Sequence, residues 1–429
     1  MAGVEGLTRQ AIRRLIGFAL MGGDFVVSAT TTAGGDTSSV IDRSLYGGAD
    51  NYNNWWILPA TGETNAGEIR RVDDTVIDSP TAGDRDLTIR PVFGATVPSG
   101  MDYELWRPEY PPARANDAIN QAINSVMGRF YVREESLALH ADGRTIRFDL
   151  PSEFAMVDRV EYRDQVQGLV LHQCDRSFDE TTDADFTQTT DSQDRKLGSS
   201  LKLAVAAAAA AGDFVTDNIG SSDLSQYTHL EGWIKSSVAL SAADYVIRLD
   251  NGVVQGDATD LEILSVPAAT AGIWTYWRVA LVNPQSDTAI VSIGIEMNVD
   301  KGAHTVWFDD IKVVDNNTGV WVKLPKQVWR IDRETDDLVL SAEGRAAAGY
   351  HLLKVSGGSN PAQLTADSGV ATVPESYLVA KAVALMLRGG SRASEDDADG
   401  RRSLARDWDL EAMLERGKFP PLVDARIAG

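Results

Sequence analysis

Apolar residues at the start of the chain recur at intervals of three and four. Leu7, Ala11, Ile12, Leu15, Ile16, Ala19 and Leu20 share one face of an amphipathic helix, which Gly22-Gly23 stop. From Asp24 to Trp106 the pattern shortens to β-like runs, D-F-V-V-S-A, W-W-I-L, G-E-I-R-R-V, D-L-T-I-R-P-V-F and Y-E-L-W, separated by Gly, Asn, Asp and Pro turns. A small β-domain is expected there, with Trp55, Trp56 and Trp106 as its core and rim. After Pro111-Pro112, Ala118, Ile119, Ala122, Ile123, Val126, Met127 and Phe130 line one side of a second helix, and Asn116, Asp117, Asn120 and Asn124 lie elsewhere. A third helix is expected from Pro374 to Arg388, before Gly389-Gly390. A fourth opens on Ser394 and Asp397, spaced as a capping box, and closes at Arg416-Gly417.

Between about Gly168 and Asn317 the pattern is that of a complete β-sandwich. S-L-K-L-A-V, D-Y-V-I-R-L-D, I-W-T-Y-W-R-V-A-L-V, A-I-V-S-I-G-I-E-M and T-V-W-F-D-D-I-K-V-V-D follow one another at sandwich spacing. The alanine run from Ala206 to Ala211 is too short to hold an isolated helix. The flanking segments, R-T-I-R-F-D-L-P-S-E-F-A-M-V-D-R-V-E-Y-R and W-V-K-L-P-K-Q-V-W-R-I-D, read as two halves of one host domain. Insertions of this kind occur where a host loop tip tolerates them and the guest's termini lie close together. The expected class is therefore α+β multidomain. A helical scaffold (1–23, 107–167 and 319–429) carries a small β-domain (24–106) and is interrupted by an antiparallel jelly-roll sandwich (168–318).

Charge narrows the choice of partners. The chain has 40 Lys plus Arg against 62 Asp plus Glu, net −22, which argues against a broad phosphate-neutralising surface. Residues 168–318 hold 22 acidic and nine basic side chains, so the insert carries −13 and the rest −9. The single cysteine, Cys174, excludes an intramolecular disulfide and reads as a small buried residue. No apolar run approaches the ~20 residues that span a bilayer, so neither a membrane anchor nor a signal peptide is expected.

The scaffold pieces S-S-V-I-D-R-S-L, L-T-I-R-P-V-F, Y-E-L-W, A-I-N-Q-A-I-N-S, F-D-L-P-S-E-F, G-Y-H-L-L-K-V-S-G and V-P-E-S-Y-L-V-A-K-A-V-A-L together resemble head-to-tail adaptor (neck) proteins of tailed bacteriophages. The resemblance covers about two thirds of the chain and is carried by the combination of motifs. It implies a helical adaptor core and a homo-oligomeric ring, commonly a dodecamer, beneath the portal ring and above downstream neck or tail proteins. DNA would pass through the channel without sequence-specific binding. The protein would be made in the host cytoplasm and end in the virion neck. An acidic wall suits such passage, because carboxylates repel phosphates. The segment K-F-P-P-L-V-D-A-R-I-A-G reads as a tail laid on a partner, which makes Trp408, Phe419, Pro420, Pro421, Leu422 and Arg426 the portal-contact candidates.

The insert's D-L-S-Q-Y-T-H-L-E-G-W-I-K-S, G-I-W-T-Y-W-R-V-A-L-V and T-V-W-F-D-D-I-K-V-V-D resemble jelly-roll carbohydrate-binding modules over nearly its whole length. The resemblance implies that Trp233, the G-x-W-x-x-W run and the W-F-D-D strand are mostly structural. Exposed aromatics would take sugars, and Tyr227, Tyr245 and Tyr276 are the glycan-binding candidates, since an exposed ring stacks on a pyranose face. Related modules often hold a structural calcium, for which Asp179, Glu180, Asp309 and Asp310 supply hard oxygens. A second acidic stretch, Glu395 to Gly400, partly imitates a calcium loop but has Arg406 where the closing carboxylate belongs.

His140, His172, His229, His304 and His351 are scattered, and no zinc, nucleophile-elbow, phosphate-loop or dinucleotide motif is present. A non-enzymatic structural protein needing no cofactor is expected. The alternatives are a tail-fibre or receptor-binding protein and a polysaccharide-acting enzyme with a binding module. Enzymes usually append such modules through a linker, whereas here the host domain resumes directly.

Overall fold

The computed structural model describes residues 6–22, 26–28, 31–45, 48–77, 85–254, 260–389 and 398–419. The chain forms two compact units. One comprises Met1–Glu134, Ser152–Met156 and Gly358–Arg426; the other comprises Glu135–Pro151, Val157–Gly357 and Ile427–Gly429.

In the first unit, helix α1 (Arg9–Met21) starts where the Thr8 hydroxyl accepts the Ala11 amide, and it ends at Gly22, whose φ is 56°. Strands β1 (Val26–Ser28), β2 (Ser39–Asp42), β3 (Trp56–Pro59), β4 (Arg70–Ile77), β5 (Arg85–Arg90) and β6 (Tyr103–Trp106) form one sheet in the order β1-β6-β3-β4-β5-β2. Val40, Ile57, Val72, Leu87, Ile89 and Leu105 fill its core. Helix α2 (Pro112–Asn124) is shorter than its apolar periodicity predicts, because turns follow from Ser125 and Gly128 takes a φ of 75°.

Strand β7 (Val132–His140) enters the second unit at Glu135, and β8 (Arg147–Asp149) and β9 (Met156–Asp164) follow. The inserted strands follow: β10 (Gly168–His172), β11 (Thr181–Thr182), β12 (Phe186–Asp191), β13 (Ser200–Val205), β14 (Phe214–Ser222), β15 (His229–Ser236), β16 (Tyr245–Asp250), β17 (Glu262–Ser265), β18 (Thr275–Ala280), β19 (Ile290–Met297) and β20 (His304–Val314). The host resumes with β21 (Val320–Lys323), β22 (Trp329–Asp332), β23 (Asp337–Leu340), the short helix α3 (Ala342–Ala348) and β24 (Leu352–Ser359). The insert is a β-sandwich. One sheet runs β12-β13-β20-β15-β18 with β10 also on β20, and the other runs β11-β14-β19-β16-β17. Leu203, Ile234, Ile247, Trp277, Ile295 and Phe308 pack between them, and Cys174 is buried among the same residues. The alanine run from 206 to 211 makes turns.

The host's own sheets are β21-β9-β24-β7 and β22-β23-β8. Strands β9 and β21 lie antiparallel, Asp164 opposite Val320 and Glu161 opposite Lys323. The first and last inserted strands pair in turn, Gly168 opposite Val314. The sandwich therefore enters at the tip of a host hairpin whose two strands still bond to each other. The division into compact units groups the insert with its host strands, rather than setting 168–318 apart from one continuous scaffold.

Helices α4 (Glu375–Arg388) and α5 (Ala398–Gly417) complete the first unit. Ile12, Ile16, Ile119, Leu378, Val383 and Met386 form a core shared by α1, α2 and α4, closed by Ala405 and Ala412 of α5. Arg13, fully buried, holds α1 down by donating to Glu104 (2.9 Å) and to Asp367 (2.7 Å), while the Trp106 indole also donates to Glu104 (3.0 Å). Among the described residues strand predominates over helix. Among the described residues no helix is long and apolar enough to cross a membrane. Ser394 and Asp397, expected to cap the last helix, lie outside the described residues, as does most of the acidic stretch beginning at Glu395.

Candidate site at the seam of insert and host

Strand alternation turns Leu230 and Ile234 of β15 into the sandwich core and Glu231 and Trp233 outward. An outward face should meet water, yet Glu231 and Trp233 are 6% and 8% exposed. They are covered by the host, where β7 ends. The His140 imidazole stacks on the Tyr276 ring (centroids 4.2 Å apart, planes at 26°) and meets Trp233 edge-on at 5.5 Å. Beside this aromatic contact the Lys196 ammonium pairs with Asp142 (2.7 Å) and sits 4.3 Å from the Trp233 ring centre.

Burial and charge tune these groups together. Burial, then the nearby Lys312 charge, lower the His140 pKa to about 3, so its ring is neutral. Burial and the Glu231 carboxylate push the Tyr276 phenol well up, and that phenol donates to Glu231 at 2.5 Å. Burial would lower Lys312, but Asp310 (2.9 Å) and Glu231 (3.5 Å) outweigh it and hold the ammonium charged. Burial would likewise raise Asp142, but the Lys196 bond and the amides of Arg144 and Thr145 keep it well below the usual carboxylate range.

At the hairpin tip Arg163, the penultimate residue of β9, closes the junction. Its guanidinium donates to the carbonyl oxygens of Asn316 and Thr318 and to the Asn316 side chain, and it lies over the Trp321 ring. The segment leaving the insert is thereby tied to the strand entering it. A cleft of about 440 Å³ opens beside this junction, lined by both insert and host residues, among them His140, Arg163, Glu231, Arg278, Lys312 and His351.

The residues expected from sequence fall differently. Tyr245 is 1% exposed, its hydroxyl bonded to His304 Nε2 (2.6 Å) and its ring edge-on to Phe308, so it offers no face to a sugar. Tyr276 is spent on His140 and Glu231, which corrects the expectation of an exposed ring there. Tyr227 is half-buried against the sandwich core. Trp307, on the outward face of β20, has the amines of Lys235 and Lys202 5.2 and 5.7 Å from its ring centre and donates to Asp191.

The four carboxylates considered for calcium have separate partners. Asp179 faces Arg176, and Glu180 accepts from Ser292. Asp309 accepts the amides of Lys196 and Leu197, and Asp310 pairs with Lys312. Among the described residues no group of three or more His, Cys, Asp or Glu side chains is arranged around a metal position.

Of the portal-contact candidates, Phe419 packs on Phe130 and Tyr377 within its own chain, and Trp408 is half-buried on the helical core. Pro420, Pro421, Leu422 and Arg426 lie outside the described residues. Sequence reasoning missed His140, Arg163, Arg278 and Lys312. The available signal was Arg163, one residue before the end of the last host strand ahead of the insertion.

No family model matches the chain, and no curated protein matches it. Its neighbours among solved structures are carbohydrate-binding modules. A family 30 module of a Clostridium thermocellum cellulosomal cellulase is 17% identical, over 35% of this chain and 99% of that one, at a TM-score of 0.28. A family 11 module from the same organism is 15% identical over 35% and 94% of the two chains (TM-score 0.26). A mutant family 29 module complexed with cellulohexaose is 10% identical over 35% and 92% (TM-score 0.22).

Proposed function

We propose that the chain is a non-enzymatic assembly protein, a head-to-tail adaptor of the tailed-phage kind, which holds its jelly roll outward in a fixed orientation. The observation that carries this reading is the interrupted hairpin. β9 and β21 still pair across a whole inserted domain, and Arg163 bonds the two sides of the junction. A module held this way is a built part of its host, unlike one tethered for independent sampling of substrate. Chain-to-chain association is supported by α5, which leaves Leu410, Met413 and Leu414 exposed on successive turns. The net charge of −22 suits a wall that DNA passes without sticking. Portal ring and tail proteins are the proposed partners, and the virion neck the proposed location. The jelly roll is proposed to face glycans weakly, with avidity from many copies.

Mass photometry of the purified chain, alone and with its cognate portal ring, followed by imaging, tests the reading. A ring, or assembly only on the portal, supports it. A trimer indifferent to the portal favours a receptor-binding protein instead.

A further inference from the structure

The cleft beside the hairpin tip brings the guanidinium groups of Arg163 and Arg278 together, with Lys312, Glu231 and Asp164 also in its lining. Arg163, 5% exposed, donates only to carbonyl oxygens and to Asn316 Oδ1, and it makes no ion pair among the described residues. Arg278 converges on the same Asn316 Oδ1 through Nη2 (2.8 Å). Its Nε forms a loose ion pair with Glu231 at 3.8 Å, beyond hydrogen-bond range, and has no hydrogen-bond partner among the described residues. Lys312 lines the same space, already shared between Asp310 and Glu231. Two desolvated guanidinium groups beside each other are costly, and Glu231, which also pairs with Lys312, offsets them only in part. Arg163 registers this, its pKa lowered by burial and then by Arg278. The His140 Nδ1 is also buried with no hydrogen-bond partner among the described residues, and the ring lines the cleft.

We infer that this cleft binds a small oxyanion, a carboxylate or phosphate group on a molecule of about monosaccharide size, gripped between Arg163 and Arg278 at the seam of insert and host. Arg278 Nε offers the uncommitted donor for such a group, while Arg163, whose nitrogens already donate to Asn316 and Thr318, adds its positive charge beside it. The volume of about 440 Å³ admits such a molecule. Arg163, Arg278 and Lys312 outnumber Glu231 and Asp164 in the lining, which favours anions here over the rest of a chain of net charge −22. Because the walls come from both sides of the junction, an occupant adds bonds across it and stiffens the insert's attachment. This site is independent of the adaptor reading. Ring assembly without anion binding would leave that reading intact and overturn this one.

The test is calorimetric titration and thermal shift of the full chain with galacturonate, inorganic phosphate and, as a neutral control, glucose, all at matched ionic strength. Saturable binding of galacturonate alone identifies an acidic sugar, and binding of phosphate identifies a phosphate-bearing ligand; either supports the inference. Arg278→Gln should weaken that binding about tenfold, the loss of one charge-assisted contact. Should that variant not fold, Arg278→Lys keeps the charge but not the fork and should still bind more weakly than the native chain. No binding of either anion, equal binding of glucose, or unchanged affinity in the folded Arg278 variant overturns the inference.

Discussion

The His140 imidazole, the last residue of a host strand, lies 4.2 Å from the ring of Tyr276 on the inserted sandwich, nearly parallel to it. These residues are far apart in sequence, yet their contact fixes how the insert sits on its host. Tyr276→Ala and His140→Ala should each cost about 2–4 kcal/mol, since both bury large side chains. A double-mutant cycle by denaturant unfolding should return a coupling of about 1 kcal/mol. Additive losses would mean the rings are neighbours without interacting.

The same contact sets an acid sensitivity. His140 is held neutral with a folded pKa of about 3, below the unfolded value. Its contribution is complete above the unfolded pKa and is lost as pH falls from about 6.5 toward 3, reaching about 2 kcal/mol at pH 5. His172, lowered by burial to about 4, acts in the same direction. His140→Phe keeps an aromatic ring and removes the titration. Its melting temperature should therefore fall less than the native chain's between pH 7.5 and 5.

Asp309 works in the opposite sense. Burial raises its carboxyl to about 7, against the pull of the Lys196 and Leu197 amides. Its stability contribution is complete below the unfolded pKa and is lost as pH rises to about 7. Asp309→Asn retains an acceptor for both amides without the buried charge. The variant should be more stable than the native chain at pH 8, by about 2 kcal/mol, and little changed at pH 4. Chemical denaturation at the two pH values measures the difference.

Gly319 sits where the chain returns from the insert to the host hairpin, at a φ of 91°. An added Cβ would lie 2.9 Å from the Asp164 carbonyl oxygen. Gly319→Ala should destabilise the second unit by about 1–3 kcal/mol through backbone strain and that clash. Gly302, also at positive φ but with open space around its Cβ position, provides the comparison and should cost less on substitution.

Strand periodicity and the flanking host motifs both change near Gly168 and Asn317, and in the fold β9 pairs with β21 and β10 with β20 on either side of those points. Helix α1 was legible from its three-and-four spacing and its terminal glycine. The end of α2 was not, because apolar residues continue in phase through Val126 although the backbone turns at Gly128. Helix α3 was overlooked because it has only seven residues, although the Ser341 hydroxyl caps it by accepting the Gly344 amide. The seam was the least legible part. Alternation identifies Glu231, Trp233 and Tyr276 as outward-facing, but only the fold reveals that a distant host segment covers them. The same blindness made Tyr276 look available to a sugar. Tyr245 failed for a different reason, since its alternation points it inward to His304 and Phe308.

The account rests on the insert being joined to its host as one cooperative body, and native-state hydrogen exchange on the full chain tests that most directly. The most protected amides of β15 and β18 should share one opening free energy with those of β9 and β21, and all should drop together in His140→Ala. Sandwich amides that open independently of β9 and β21, unchanged by that substitution, would contradict it.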